Sequence, residues 1–328
     1  MQSKNCSNKK IKIFVSTRID LLNTFFIDNP LYIPIRCGAI RDSKQKNILG
    51  DDTGDNISDK SSRYSEFTVQ YWIWKNTDAD YIGLCHYRRY LAFNKIRFIK
   101  PNGHNMYEIP YLNTFFAKRL GLCNYKKLKS EISKYDIVTS EYANVKKMPT
   151  PNGFKKTVYE HWVAHDKVLL EARYIDKMME LLQVKYPNLY PYANEYLNGS
   201  SHRGFNCFIL KRELFQQLCE FEYDILFEME QRVFGGRNQV KLTRTCAYLG
   251  EILYGIYIYY LEQQLQYKEK CLQLTLFLDT QSGDVSAYRS IKSIIYLKLI
   301  KLVGYILPVG TKRRKFVKRA WIGIAHRQ

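Results

Sequence analysis

His86, Arg88 and Arg89 stand directly after a short uncharged run, residues 82–85. That run reads as an interior strand, which puts the cations at the carboxyl edge of a sheet, where open α/β folds bind ligands. Arginine's planar fork of donors matches phosphate oxygens. Two readings follow: a site for a phosphate-bearing ligand, or a solvated strand end with ordinary ion pairs. Glu251 follows Gly250 inside an aromatic-rich helix. It suits a general base if that helix points at the site, and otherwise is an exposed or paired carboxylate. His161 and His165 are four apart, on one helical face, with Asp166 next. A zinc protease needs Glu where this chain has Trp162, so a ligand-facing or structural pair remains. The segment His202-Arg203-Gly204-Phe205-Asn206 leads into a strand, and its glycine permits close approach of backbone to ligand.

Carboxylates cluster in two further places. Asp51, Asp52 and Asp55 share a glycine-containing loop and are of the type that ligates Mg²⁺. Gly54 and the missing distal Glu exclude an EF-hand, and no Gly-Lys-Ser/Thr follows to make a Walker loop. Asp78 and Asp80 form an Asp-x-Asp, but they precede the strand instead of ending it, so they read as a helix–strand turn.

These side chains need a scaffold, and the pattern supplies one. Residues 11–16 and 32–36 read as strands, 50–58 as a loop, 61–76 as a buried helix and 80–85 as the strand described above. Residues 95–121, with Pro101, Gly103 and Pro110, read as an inserted loop with some helix. Residues 135–139 and 205–210 read as strands. Residues 158–184 (interrupted near His165), 212–231 and 245–260 read as helices. Strand and helix alternate, so the class is α/β with a mostly parallel sheet.

The 328 residues carry a net charge of +20. From Tyr288 onward there are eleven Lys and Arg and no acid, leaving +9 on residues 1–287. Such a block points to an anionic partner: a membrane surface, nucleic acid or a phosphorylated lipid. Residues 291–307 are apolar but punctuated by Lys292, Lys298 and Lys301. The cluster Lys312-Arg313-Arg314-Lys315 follows, then Lys318 and Arg319. Contact with anionic lipid headgroups is one reading, and docking on the body with a solvated cluster is the other. The 27 Tyr, 17 Phe and 4 Trp suit sugar or peptide ligands, and equally an aromatic core. Eight scattered cysteines, without Cys-x-x-Cys or zinc spacing, fit a reducing cytoplasm. Residues 1–10 are polar and lack a secretion signal's apolar centre. No uncharged run approaches the ~20 apolar residues that span a bilayer.

Residues 50–58, Glu66, the run Tyr71-Trp72-Ile73-Trp74-Lys75-Asn76 and the run Gly83-Leu84-Cys85-His86-Tyr87-Arg88-Arg89-Tyr90 together resemble the DUF4422 family, a domain found in glycosyltransferases of bacterial capsule, exopolysaccharide and O-antigen clusters. The resemblance runs from about residue 11 to 260. The chain departs from the family pattern at Asn206-Cys207-Phe208-Ile209, where Asn-Met-Phe-Ile is usual, and at Glu251-Ile252, where Glu-Arg is frequent. The resemblance implies a GT-A-like, Rossmann-type transferase of a nucleotide sugar, with galactose or galactofuranose linked to some members. The 202–210 segment is similar to the Asn-Ala-Gly strand start of glycogenin-type enzymes, the floor of their sugar site. It implies nucleotide contacts at Ser16, Thr17 and Arg18, and donor contacts at Asp55, Asn56, Ser58, Glu66, Gly204 and Asn206. His86, Arg88 and Arg89 take the place of the Asp-x-Asp of metal-dependent relatives; either Arg88 and Arg89 together neutralise the diphosphate or one of them makes a structural ion pair, with Glu251 as base. His161, His165 and Asp166 fall to the acceptor. Mn²⁺ or Mg²⁺ dependence and metal-independent action both stay open.

The expectation is a UDP-sugar-dependent hexosyltransferase acting on a polyprenyl-diphosphate-linked oligosaccharide. It would comprise a polar leader (1–10), a catalytic domain (11–287) and a basic tail (288–328) that holds it to the anionic inner face of the cell membrane. Nucleic acid is not an expected partner. The competing classes are a basic nucleic-acid-binding protein and a sugar-binding module without catalysis.

Overall fold

A computed structural model describes residues 9–17, 21, 23–42, 47–165, 170–232 and 243–306. The strands are β1 (Ile11–Thr17), β2 (Tyr32–Arg36), β3 (Tyr81–His86), β4 (Arg89–Ala92), β5 (Met106–Tyr111), β6 (Ile137–Ser140), β7 (Ala143–Asn144), β8 (Ser201–His202), β9 (Phe208–Lys211) and β10 (Glu269–Asp279). The helices are α1 (Ser61–Tyr64), α2 (Phe67–Asn76), α3 (Thr114–Arg119), α4 (Tyr125–Ile132), α5 (Val158–His165), α6 (Ala172–Lys185), α7 (Tyr190–Asn198), α8 (Arg212–Arg232), α9 (Thr245–Gln263) and α10 (Ala287–Ile306).

β1 lies between β2 and β3, parallel to both. β9 enters antiparallel between β3 and β6, with Leu84 opposite Phe208 and Thr139 opposite Phe208 on its other side. β10 runs parallel to β6 over its first half, then between β4 (antiparallel) and β5 (parallel) over its second. The sheet is therefore mixed, which corrects the mostly parallel expectation. Reversal of β9 brings its start to the edge at which β3 ends. β7 and β8 pair separately.

The interior strands are apolar on both faces because both faces are covered. Phe14, Ile82, Leu84, Phe208 and Leu210 point into the core under α2, α8 and α9. Ile13, Val15, Cys85 and Ile209 point into the opposite core with α3 and α4. Gly83 is required here: a Cβ would press on Ile209 and Ile13 from the two neighbouring strands. Both proline-bearing strands, β2 with Pro34 and β5 with Pro110, pair on one side only, where the missing N–H costs no ladder bond. α9 is apolar nearly all round and is accordingly enclosed.

β4, α4 and α7 have no counterpart in the sequence reading, and three further elements differ from it. The 61–76 helix is broken at Ser65, whose φ of 46° is left-handed, giving α1 and α2. Pro110 disguised β5 as loop. β10, with Glu269, Lys270 and Gln273 among its apolar residues, was not anticipated.

Candidate functional site

The residues that meet at the exit of β1 and β3 surround a cleft of about 520 Å³ lined by Ser16, Thr17, Glu66, His86, Tyr87 and Arg244. Three larger cavities, of about 690, 590 and 570 Å³, lie elsewhere. In the first, the charges satisfy each other: Glu230 accepts from Lys60 Nζ and Arg63 Nη1. Chemistry rather than size singles out the smaller cleft.

The β-strands fix its floor. Tyr87 N–H donates to Ser16 O at 2.9 Å, and Thr17 Oγ1 donates to Ile35 O at 3.0 Å. His86 Nδ1 accepts from the Arg88 backbone N–H at 3.3 Å, which leaves Nε2 to carry the proton of the neutral ring. Burial, then the neighbouring Arg89, Arg88 and Arg244 guanidiniums, push the His86 pKa well below its ordinary 6.5. It is uncharged at neutral pH.

Three arginines gather here without carboxylate partners. Arg36, Arg63, Arg173, Arg203, Arg212 and Arg232 all form salt bridges; among the described residues Arg88, Arg89 and Arg244 form none, and neither do Arg41, Arg97, Arg119 and Arg289. The Nε atoms of Arg88 and Arg89 are buried and lack a hydrogen-bond partner. The guanidinium of Arg89 lies 4.5 Å over the Phe205 ring, that of Arg88 lies 5.4 Å over Tyr87, and that of Arg244 lies 5.6 Å over Tyr248. Aromatic faces thus hold the forks in place while leaving donors to spare.

The carboxyls of the site come from two helices. Gly250 on α9 faces the ring of Phe67, where a Cβ would collide with it. That close approach sets the next residue, Glu251, against Glu66, the residue before Phe67. The two side chains are hydrogen-bonded, and the Glu251 pKa is raised to about 8, first by burial and next by the Glu66 charge, against the opposing pull of Arg89 and Arg244.

A second rim continues from Arg89. Phe205 packs against His202 (6.1 Å between ring centroids), His202 against Trp162 (5.4 Å), and Trp162 against Tyr248 (6.0 Å). Asn206 sits in this rim, 6% exposed, with neither amide oxygen nor amide nitrogen partnered. A buried amide left this way needs an explanation such as a ligand or an ordered water. The segment is anchored by Arg203, fully buried, which pairs with Glu262 and with Glu269 (3.0 Å) and stacks 3.9 Å over Tyr142.

Of the expected residues, the structure brings together Ser16, Thr17, Glu66, His86, Arg88, Arg89, Glu251 and, along the second rim, Asn206. Others fall elsewhere. Asp55 and Asn56 lie at the far end of α2: Asp55 N–H donates to Asn76 Oδ1 (3.2 Å), and Asn56 bonds within its own loop. With ~1.5 Å of rise per residue, that end is a helix length from Glu66. Ser58 is fully buried and donates to Asp51. Gly204 packs against the His202 and Trp162 rings, which a Cβ there would meet. His161 is 2% exposed, packed against Trp162 and His202, and so supports the rim from behind. Arg18, Asp166 and the His165 side chain lie outside the described residues.

The carboxylate loop has a structural role as well. Asp51 is fully buried and accepts from Gly38 N (2.9 Å), Ala39 N (2.9 Å), Ser58 Oγ (2.5 Å) and Thr68 Oγ1 (2.5 Å). Asp78 pairs with Arg212, and Asp80 accepts from Lys10 N at 2.7 Å, at the opposite end of β3. Among the described residues no group of three or more His, Cys, Asp or Glu could hold a metal ion.

Arg244 escaped the sequence reading. Its signal is a cation at the N-terminus of a helix, where the macrodipole disfavours it; its φ of 63° is likewise left-handed.

No curated protein matches this chain. The apo structure of WbbM, a bifunctional glycosyltransferase, is similar to it, with a TM-score of 0.72 and 26% sequence identity over 82% of this chain and 46% of that one. The present chain thus spans less than half of WbbM. The fold is a mixed α/β arrangement, central sheet and flanking helices, like that of this glycosyltransferase. The family described as a domain of unknown function, DUF4422, matches residues 12–264, and the chain therefore belongs to the DUF4422 family.

Proposed function

We propose that residues 11–287 form a GT-A-like glycosyltransferase domain that moves a sugar from a UDP-sugar, galactose in pyranose or furanose form, to a lipid-linked oligosaccharide of a bacterial surface polysaccharide. The observation that carries this reading is the group of three arginines without salt bridges around His86, two with orphaned buried donors, beside a cleft lined by His86, Glu66 and Arg244, with Glu251 buried next to Glu66. Likeness to WbbM supports the reaction class.

In this mechanism Arg88, Arg89 and Arg244 hold the diphosphate, and the Nε2–H of neutral His86 adds a donor. As the acceptor hydroxyl oxygen bonds to the anomeric carbon, the carbon–oxygen bond to the diphosphate breaks. The hydroxyl proton passes to Glu251, and the guanidiniums meet the charge that develops on the leaving β-phosphate. Glu66 holds Glu251 in position. Asn206 reads a hydroxyl of the bound sugar, and the Phe205–His202–Trp162 rim gives the sugar an apolar wall. No step calls for a metal ion, and a single displacement inverts the anomeric centre.

The test is a screen of UDP-sugars for UDP release, with EDTA and with Mn²⁺, followed by the anomeric configuration of the product. UDP raising the thermal midpoint comes first. Absence of both UDP binding and UDP release across the donor panel overturns the reading.

A further inference from the structure

α10 presents two different faces to two different environments. Its inner side is fixed. Asn113 Nδ2 donates to Val285 O and to Ser290 Oγ, both at 2.6 Å, and Ile294 is buried in the second core. Lys298 Nζ donates to Phe98 O at 3.1 Å. These contacts set the roll of the helix about its axis. Tyr288, Ile291, Ile295, Leu299 and Leu302 then point outward, spaced by three, four, four and three residues along one stripe, and each is between 43% and 77% exposed. Exposed Phe98 lies beside the same helix. The charged side chains flanking the stripe, Arg289 and Lys292, are exposed cations.

From this we infer that the outer face of α10 is a docking surface for an anionic lipid bilayer, along which the helix lies. Isolated exposed apolar residues are ordinary; a continuous stripe rimmed by one sign of charge is an interaction surface. Charge decides the partner. From Tyr288 onward the chain has eleven cations and no acid, which complements anionic headgroups above an apolar interior. Among the described residues no helix is long and apolar enough to cross a membrane, so this one lies in the interface. A nucleic acid would call for the cations without the apolar stripe. The placement also bears on the cleft. β10, whose Phe277 N–H donates to Arg88 O at 2.8 Å, leads through residues 280–286 into α10. The inference holds whatever the cleft binds.

The full chain is floated on a density gradient with vesicles of phosphatidylcholine alone or mixed with phosphatidylglycerol. It is expected to float with the mixed vesicles only, and less so in high salt. The double variant Ile295→Asp, Leu299→Asp should lose about tenfold or more in partition, with the thermal midpoint and UDP binding unchanged, because both side chains already face water. Flotation of the variant equal to that of the unaltered chain, or no flotation of the unaltered chain, overturns the inference. So does a stripe that drives self-association in solution and not vesicle binding.

Discussion

Glu251 and Glu66 meet carboxyl to carboxyl, joined by a hydrogen bond between the start of α2 and the second turn of α9. Burial first, and then the Glu66 charge, hold the Glu251 pKa at about 8.

A base with that pKa gives a rate that climbs with pH. The proposed chemistry therefore predicts kcat/KM rising to a plateau with an apparent pKa close to 8. Glu251→Gln should remove the limb and lower kcat by about 10²–10⁴-fold. Stability should run the other way. Between 4.5, the ordinary value, and about 8 the folded chain keeps a proton the unfolded chain has released, so stability falls as pH rises through that window. Thermal midpoints across the same range should slope less for Glu251→Gln; an unchanged slope would remove Glu251 from the account.

Gly250 is what allows the two acids to touch. Gly250→Ala places a methyl against the enclosed ring of Phe67, at a cost of about 1–3 kcal/mol. Denaturant unfolding should show that loss. The kinetic pKa should move down toward that of an ordinary carboxyl as the helices part.

Arg88→Lys and Arg89→Lys keep charge and lose the fork. UDP release should fall by about 10²-fold or more for at least one of them. Arg89→Lys should suffer more, since it also gives up stacking on Phe205. If both variants turn over at the original rate, the diphosphate is held elsewhere.

Ser65, between α1 and α2, has φ 46° and ψ −129°, a region that suits glycine. Ser65→Gly should raise the unfolding free energy by about 1–3 kcal/mol, read as a higher denaturant midpoint. The strain lies on the cleft wall, so its relief should leave UDP binding weaker or unchanged, never stronger.

Much of this site could be read from residue order, because local pattern determines where strands end. His86, Arg88 and Arg89 follow an uncharged run too short for a helix, and that alone puts them at a sheet edge. Glu251 was legible as a carboxylate within an apolar helix. Asp55, Asn56 and Ser58 misled because a polar glycine loop looks the same in sequence whether its side chains face a ligand or cap their own backbone; here Asp51 and Asn76 organise it from within. Arg244 was hidden because only tertiary packing brings the start of α9 to β3. The interior reversal of β9 left no trace in its apolar run, since parallel and antiparallel strands buried on both faces have the same composition.

That reversed strand carries an evolutionary corollary. Because β9 descends where β3 climbs, residues 202–206 reach the mouth of the cleft from a part of the chain more than a hundred positions away from the arginine pair. Leaving-group grip and saccharide choice are thereby assigned to separate stretches of polypeptide. Relatives can exchange the second stretch for another specificity while the first stays as it is.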